Sequence, residues 1–150
     1  MNGILKLVHV RSFVFGLLIA GTLNLAAKTH AEESSLYQQL GGLQAITQVV
    51  DVFIELHPSN PTVNQHFEHT NMSRFRDKFI AFICSISDGP CEYTGDTMLL
   101  VHGGMNLNET EFNGSVNLLI KAMDDVGVSI GVRNQLLARL ARLRSDIIYQ

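Results

Sequence analysis

The stretch Leu99-Leu100-Val101-His102-Gly103-Gly104 sets one imidazole between a short apolar run and a pair of glycines. Phe67 stands upstream of it. Between these two points, Phe75, Phe79 and Phe82 recur at helical spacing and so form one continuous apolar stripe. The sequence therefore predicts a single histidine that lies across from an aromatic helix face.

An imidazole opposite an aromatic wall is an arrangement by which proteins hold haem. The imidazole nitrogen bonds the iron, and the apolar wall keeps water away from the macrocycle. We therefore expect His102 to be a metal ligand for haem iron. An isolated histidine is more often an ordinary surface or core residue, so this interpretation depends on the context along the rest of the chain.

The first 31 residues have a short basic start and an apolar middle. Lys6 and Arg11 supply the positive charge, and residues 12–20 form the apolar run. Small residues then precede a cleavage position after Ala31. This order of features is typical of a secretory signal peptide.

Cleavage of residues 1–31 leaves residues 32–150, which have the length of one domain. We expect that domain to be exported, either periplasmic or secreted, with no stable membrane insertion. The alternative is an uncleaved anchor formed by residues 12–27. Its strongest apolar run is shorter than the ~20 residues that a membrane-spanning helix needs.

The charge of the chain argues against a nucleic-acid partner. The whole sequence carries 11 basic and 14 acidic residues, a net charge of −3. No acidic residue precedes Glu32, so cleavage leaves a still more acidic domain. Phosphate backbones require a basic footprint. The one basic cluster is interpreted as the solvated face of the last helix, and comprises Arg133, Arg139, Arg142 and Arg144.

The two cysteines, Cys84 and Cys91, enclose a turn through Asp88-Gly89-Pro90. Export would allow a disulfide between them. Two unrelated thiols, one partly buried, are the alternative, and the sequence does not decide between them. A zinc site is not expected, because no further ligand pair stands at a suitable spacing.

Apolar residues recur at helical spacing throughout residues 36–147, and this predicts an all-α fold. Glycines and prolines punctuate the pattern, and polar caps precede several of its segments. Helices are predicted over 36–40, 43–57, from Asn71 to about Ser87, over 97–103, from Asn108 or Thr110 to Gly127, and from there towards Ile147.

An ordered set of landmarks resembles the truncated haemoglobins of group I. Each landmark is weak by itself, but their order and spacing are specific, and the resemblance covers about Ser35 to Tyr149. The landmarks are Leu36-Tyr37, Leu40-Gly41-Gly42, Val50-Asp51-Val52-Phe53, Phe67, Thr70-Asn71-Met72, Asp88-Gly89-Pro90, Tyr93-Thr94-Gly95, Met98 and Val101-His102-Gly103.

The resemblance implies a truncated, two-over-two globin sandwich around one haem b. His102 matches the family's proximal histidine and Phe67 its haem-stacking phenylalanine. Arg74, Lys78 and Tyr93 are then candidates for the haem propionates. Phe75, Phe79 and Phe82 form the aromatic wall against the haem. Further residues are expected to line the haem edge, although plain core packing explains them almost as well: Met72, Ile86, Leu99, Val101, Met105 and Phe112.

The chain departs from the family on the distal side, where a gas ligand sits. Members usually carry a tyrosine after Phe53, but Ile54 stands there. Phe75 and Phe79 occupy positions where glutamine is common. This distal pocket therefore lacks hydroxyl and amide donors, which favour the partly charged oxygen ligand over carbon monoxide or nitric oxide. We expect weak oxygen retention.

Lys78 is the remaining polar candidate at this stripe. In some family members the residue at this position is a sixth iron ligand, and an apolar pocket that lowered the lysine pKa would allow the same here. The alternative, which we favour, is that Lys78 extends outward to a propionate.

Three functions remain open on the sequence alone. The first is an exported globin that reversibly binds O2, NO or CO. The second is a haem enzyme or redox protein acting on NO, nitrite or peroxide with an unknown electron donor. The third is a helical interaction module that has lost haem. No haem-ligand role is expected for the other histidines in the domain. His57 is predicted to lie at a helix end, and His66 and His69 are predicted to be exposed in a loop.

Overall fold

Seven α-helices and three short 3₁₀ turns make up the part of the chain that the computed structural model describes, residues 34–150. The predicted signal peptide, residues 1–31, lies outside the described residues. The α-helices are α1 (Leu36–Gln39), α2 (Gly42–Leu56), α3 (Pro61–Asn64), α4 (Met72–Ile86), α5 (Met98–His102), α6 (Glu109–Val126) and α7 (Ile130–Ala141), and the 3₁₀ turns are His57–Ser59, Gln65–Phe67 and Arg144–Asp146.

Helix α2 is the centre of the packing, because it lies against both α4 and α6. Its buried residues, Ile46, Val49, Val50 and Phe53, recur every three or four positions and so share one face. Helix α1 contacts both α2 and α7. The predicted all-α fold is confirmed in this part of the chain, with α2 beginning at Gly42 and ending at Leu56.

The reversal between α1 and α2 depends on two glycines. Gly41 and Gly42 have φ angles of 94° and 71°, in the left-handed region that glycine adopts without a steric cost. A Cβ on Gly41 would also lie 2.8 Å from that of Ala45. The short helix α1 and the longer helix α2 therefore meet at the sharp turn that the sequence predicts.

The turn after α4 carries an aspartate in a left-handed conformation. Asp88 has a φ of 62°, which aspartate tolerates better than most residues with a side chain. Arg139 of α7 donates to the Asp88 carboxylate at 2.6 Å and also to the carbonyl of Ile86. This one guanidinium therefore ties the end of α4 to α7.

Cys84 and Cys91 form a disulfide, with their Cα atoms 5.8 Å apart. Cys84 is fully buried within α4, whereas Cys91 lies in the irregular segment that follows the turn. The question that the sequence left open is thus resolved in favour of the bond. It connects α4 to the chain that leads into α5.

The chain end pairs with the segment that follows α5. The Asn106 amide donates to the Gln150 carbonyl at 2.8 Å, and the Tyr149 amide donates to the Leu107 carbonyl at 2.9 Å. Leu107 and Ile148 form an isolated parallel bridge and are both buried. These contacts fix the connection between α5 and α6.

Among residues 34–150, no helix is both long enough and apolar enough to cross a bilayer.

Candidate functional site

His102 is the last residue of α5, a short helix that begins at a Thr97 cap. Its Nδ1 lies 2.8 Å from the carbonyl oxygen of Met98, one turn earlier in the same helix. A carbonyl oxygen only accepts hydrogen bonds, so Nδ1 carries the proton in this contact. When the imidazole is neutral, the lone pair then belongs to Nε2, and this nitrogen can bind a metal while Nδ1 is held in place.

A central cavity of about 120 Å³ borders His102. Residues of α4 form one side of it, opposite α5 and the segment before it. The predicted histidine and the predicted aromatic stripe therefore face the same space. The lining residues are Phe75, Lys78, Phe79, Phe82, Tyr93, Met98 and His102.

A mouth cavity of about 280 Å³ adjoins the central cavity, since both are bordered by Phe75, Lys78 and Tyr93. Its lining is more polar and includes two cationic side chains. The residues are Thr70, Asn71, Arg74, Phe75, Lys78, Tyr93, Gly95, Asp96 and Val101.

A deep cavity of about 120 Å³ adjoins the central cavity on the other side, where both are bordered by Phe79, Phe82 and Met98. Its lining is almost wholly apolar. The residues are Phe53, Phe79, Phe82, Met98, Phe112, Ser115, Val116, Leu119, Leu140, Leu143 and Ile147.

The three adjoining cavities suit an amphipathic macrocycle such as haem. The deep cavity offers an apolar environment for the hydrocarbon edge, and the mouth offers Arg74 and Lys78 to the propionates. His102 borders the space between them with Nε2 available. The residues present therefore fit haem in donor chemistry and in the distribution of polarity.

Four phenylalanines interlock on the side away from His102. The ring centroid of Phe79 lies 5.4 Å from those of Phe53 and Phe75, and Phe67 contacts Phe75 edge-on at 5.1 Å. Edge-on and tilted contacts of this kind are the favourable geometries for aromatic pairs. The predicted aromatic wall is therefore a packed cluster built from α2, α4 and the 3₁₀ turn that carries Phe67.

Lys78 and Tyr93 stand where the central and mouth cavities join. Lys78 Nζ donates to the carbonyl oxygen of Thr94 at 3.1 Å and to its hydroxyl at 2.8 Å. Tyr93 packs edge-on against Phe82 and donates its hydroxyl to the Asp96 carbonyl at 2.9 Å. Burial, and secondarily the charge of Asp96, raises the pKa of Tyr93, so its hydroxyl keeps its proton.

Gly95 permits this position of Tyr93. A Cβ at Gly95 would collide with the Tyr93 hydroxyl and ring. Any other residue at this position would therefore displace the aromatic ring from the mouth or distort the loop. The glycine of the Tyr93-Thr94-Gly95 landmark thus has a steric explanation in this chain.

Several predicted site residues lie beside these cavities without lining them. Leu99 is 47% exposed on α5, on the outside of the site. Ile54 packs against the buried core next to Phe53. The predicted residues outside the lining of the three cavities are Ile54, Phe67, Met72, Ile86, Leu99 and Met105, of which only Leu99 is exposed.

His57 is buried among the aromatic rings, which the sequence reasoning missed. It is only 4% exposed, its ring centroid lies 4.4 Å from that of Phe67, and it stacks on Phe53. Within residues 34–150, its Nδ1 has no hydrogen-bond partner. The helical spacing of Phe53 and His57, four residues apart, is the signal that places both on the buried face of the chain.

His66 is also less exposed than the sequence predicts. Its Nε2 lies 3.1 Å from Glu111 Oε1, and Glu111 is itself only 9% exposed. The other carboxylate oxygen accepts the Asn108 amide at 2.8 Å, and Gln65 donates to Oε1 at 3.0 Å. The Asn108 amide, and then His66, lowers the pKa of the Glu111 carboxyl. This cluster fixes the turn that carries Phe67 to the start of α6.

Comparisons with known proteins identify the family of this chain. The family model for bacterial-like globins matches residues 35–149. A group 1 truncated hemoglobin from a Nostoc species is 32% identical over 77% of this chain and 98% of its own length. One from Mycolicibacterium paratuberculosis is 30% identical over 82% of this chain and 90% of its own length.

Solved structures give the same result. The truncated hemoglobin from Tetrahymena pyriformis in its Fe(III) form has a TM-score of 0.75 at 26% identity, covering 78% of this chain and all of that one. The 2/2 hemoglobin from Synechococcus sp. PCC 7002 has a TM-score of 0.71 at 21% identity, covering 77% of this chain and 98% of that one, and shares the fold. The chain belongs to the bacterial-like globins and, among them, to the group 1 truncated haemoglobins. Membership of this family implies haem binding and an all-α globin fold.

Proposed function

We propose that this chain is an exported haem b globin, with iron bound by His102, that reversibly binds a diatomic gas: O2, NO or CO. The observation that carries the proposal is the contact between His102 Nδ1 and the Met98 carbonyl. It leaves Nε2 as the free donor at the edge of a cavity that is apolar inside and cationic at its mouth.

Each side chain has a defined task in this proposal. Haem, when bound, supplies an iron atom with a coordination position for a gas. The Met98 carbonyl fixes the tautomer and the ring orientation of His102. Arg74 and Lys78 provide positive charge for the propionates at the mouth.

The phenylalanine cluster excludes water from the distal side and offers no hydrogen-bond donor there. The absence of a donor determines the expected gas preference. Phe53, Phe75 and Phe79 carry no hydrogen-bond donors, and Ile54 adds none. The loss of one charge-assisted hydrogen bond costs about 1.5–3 kcal/mol, which lowers oxygen affinity roughly tenfold to a hundredfold. Carbon monoxide and nitric oxide are less polar ligands. We therefore propose that the site favours them over oxygen relative to other family members.

A haem enzyme or redox protein acting on NO, nitrite or peroxide is the second candidate, because Lys78 borders the central cavity and offers a sixth ligand. Against this, its ammonium already has two partners on Thr94. Ligation needs a deprotonated amine that has left both of them. Pairing with a propionate keeps the lysine charged, and we favour it.

Export is supported by the signal-peptide pattern and is compatible with the disulfide between Cys84 and Cys91. We propose a periplasmic or secreted domain, residues 32–150, that acts on a gas and has no nucleic-acid partner. An electron donor is required only by the enzymatic alternative, and its identity is unknown.

Absorption spectroscopy tests the proposed function. Residues 32–150 are reconstituted with haem b, and ferric, ferrous and ferrous–CO spectra are recorded beside those of His102→Gly. We expect one haem per chain, a ferric high-spin form and a CO complex. Added imidazole should restore the proximal bond in the glycine variant. A chain that takes up no haem, or a His102→Gly spectrum identical to the parent without imidazole, contradicts the proposal.

A further inference from the structure

Residues 91–97, here called the mouth loop, supply much of the entrance to the site. Tyr93, Gly95 and Asp96 line the mouth cavity, and Tyr93 also borders the central cavity. Thr94 holds Lys78 through both its carbonyl and its hydroxyl. The position of this loop therefore determines how the entrance is closed.

Few contacts hold the mouth loop in that position. Among residues 34–150, no backbone-to-backbone hydrogen bond joins residues 91–96 to another segment. The hydroxyl of Tyr93 bonds within the loop, to Asp96. The noncovalent anchors to α4 are the Lys78–Thr94 hydrogen bonds and the contact between the rings of Phe82 and Tyr93.

The disulfide is the covalent anchor of the same loop. Cys84 is fully buried in α4, two residues after Phe82, and Cys91 is the first residue of the loop. Three residues of α4 therefore hold the loop: Lys78, Phe82 and Cys84. Of these three, Cys84 alone does so by a covalent bond. Cys91 is partly exposed whereas Cys84 is fully buried, so we expect a reagent to approach the disulfide from the Cys91 side.

We infer that the Cys84–Cys91 disulfide is a redox-sensitive latch on the haem site, and that its reduction releases the mouth loop and accelerates haem loss. The inference rests on the proposed function, since it assigns control of that same site. The oxidised chain is the closed form. In the reduced chain, the Lys78–Thr94 hydrogen bonds and the packing of the Tyr93 ring remain to hold the loop to α4.

The reductant is a dithiol, and the exchange balances. One thiolate of the dithiol attacks the Cys91 sulfur, forms a mixed disulfide and expels the Cys84 thiolate, which takes up a proton. The second thiol then attacks the mixed disulfide and releases Cys91 as a thiol. The dithiol leaves as its own disulfide, so two electrons and two protons pass to the protein.

The rate of haem transfer to another protein tests whether the disulfide retains haem. The haem-loaded ferric chain is mixed with excess apomyoglobin, and the rate of haem loss is recorded for the oxidised protein and after treatment with dithiothreitol. The double variant Cys84→Ala/Cys91→Ala is measured under both conditions. We expect loss about tenfold faster in the reduced protein, which is the effect of one lost contact of ordinary strength. The double variant should be fast in both conditions.

Two companion measurements separate a local release from other causes. Hydrogen exchange should become faster in residues 91–97 on reduction, while amides of α2 and α6 keep their protection. Thr94→Val should accelerate haem loss more in the reduced protein than in the oxidised protein, because it removes one of the remaining anchors.

The outcomes distinguish the two proposals. Stoichiometric haem with equal loss rates in both redox states overturns the latch and leaves the haem site intact. Faster loss accompanied by general exchange throughout α2 and α6 also overturns it, because the disulfide would then only support the fold. A chain that binds no haem in the oxidised form refutes the proposed function, and the latch with it.

Discussion

The ammonium of Lys78 donates to both the carbonyl oxygen and the hydroxyl of Thr94, at 3.1 and 2.8 Å. This contact ties α4 to the loop before α5 at the boundary between two cavities. Ligation of a metal requires the neutral amine of Lys78, whereas pairing with a propionate requires its ammonium. The two roles considered for Lys78, ligation of iron and pairing with a propionate, therefore differ in the protonation state of its amine.

Substitution of Lys78 tests those roles. We expect Lys78→Ala to leave the ferric protein high-spin at neutral pH and to accelerate haem loss about two- to fivefold, because an exposed ion pair contributes less than about 1 kcal/mol. Lys78→Arg, which retains the charge, should behave nearly as the parent does. A parent that is low-spin at neutral pH and becomes high-spin in Lys78→Ala would instead establish ligation by the amine.

Restoration of a distal hydroxyl tests the gas preference. We expect Ile54→Tyr to slow oxygen dissociation roughly tenfold to a hundredfold, because the phenol supplies one hydrogen bond to a polar ligand. Carbon monoxide dissociation should change much less. Stopped-flow measurements of both rates check this, with Ile54→Phe as the control for size without a hydroxyl. Slow oxygen release from the parent itself would contradict the inferred weak retention.

Stability in acid should depend on Glu111. Its carboxyl pKa is lowered below the ordinary value of 4.5, chiefly by the Asn108 amide and then by His66. A carboxyl with a depressed folded pKa stabilises the fold fully above its unfolded pKa, and that contribution is lost as the pH falls through the folded value. We expect Glu111→Gln to reduce stability at pH 7 and to flatten the loss of stability between pH 4.5 and lower values.

Urea unfolding at several pH values measures this effect. The expected cost at pH 7 is about 1.5–3 kcal/mol, the contribution of hydrogen bonds to a charged group. Glu68→Gln, at an exposed position, serves as the matched control and should leave stability unchanged. An unaltered acid profile in Glu111→Gln would show that other carboxyls dominate below pH 4.5.

Gly95 offers a steric test of the entrance. A methyl group there collides with the Tyr93 ring, so Gly95→Ala should displace Tyr93 from Phe82 and accelerate haem loss about tenfold. Gly131→Ala is the matched control. Among residues 34–150 its methyl group meets no atom within 4 Å, and it should leave the haem site undisturbed. Equal haem-loss rates in the two variants would exclude the steric role.

The sequence predicts the helices and the polarity of the site well, because both depend on local spacing. The stripe from Phe75 to Phe82 faces a cavity beside His102. The turn at Gly41 and Gly42 forms where two adjacent glycines allow it. Each of these features is encoded within a few residues of itself.

Other features depend on contacts between distant segments, and sequence spacing does not reveal them. Glu111 meets His66 only because α6 packs near the turn after α3. Leu99 faces outward although its neighbours belong to the site, because α5 is too short to bury more than one face. The partner of Lys78 is Thr94, which lies sixteen residues further along the chain in the loop that follows the disulfide.

The placement of Tyr93 over Gly95 and against Phe82 gives the protein an intrinsic optical reporter. The chain has three tyrosines and no tryptophan, so its ultraviolet emission comes from tyrosine alone. Tyr93 borders the central and mouth cavities, whereas Tyr149 is exposed to solvent. A strongly absorbing group that enters these cavities will contact Tyr93 directly and quench its emission, so the occupancy of the site can be read in unlabelled protein.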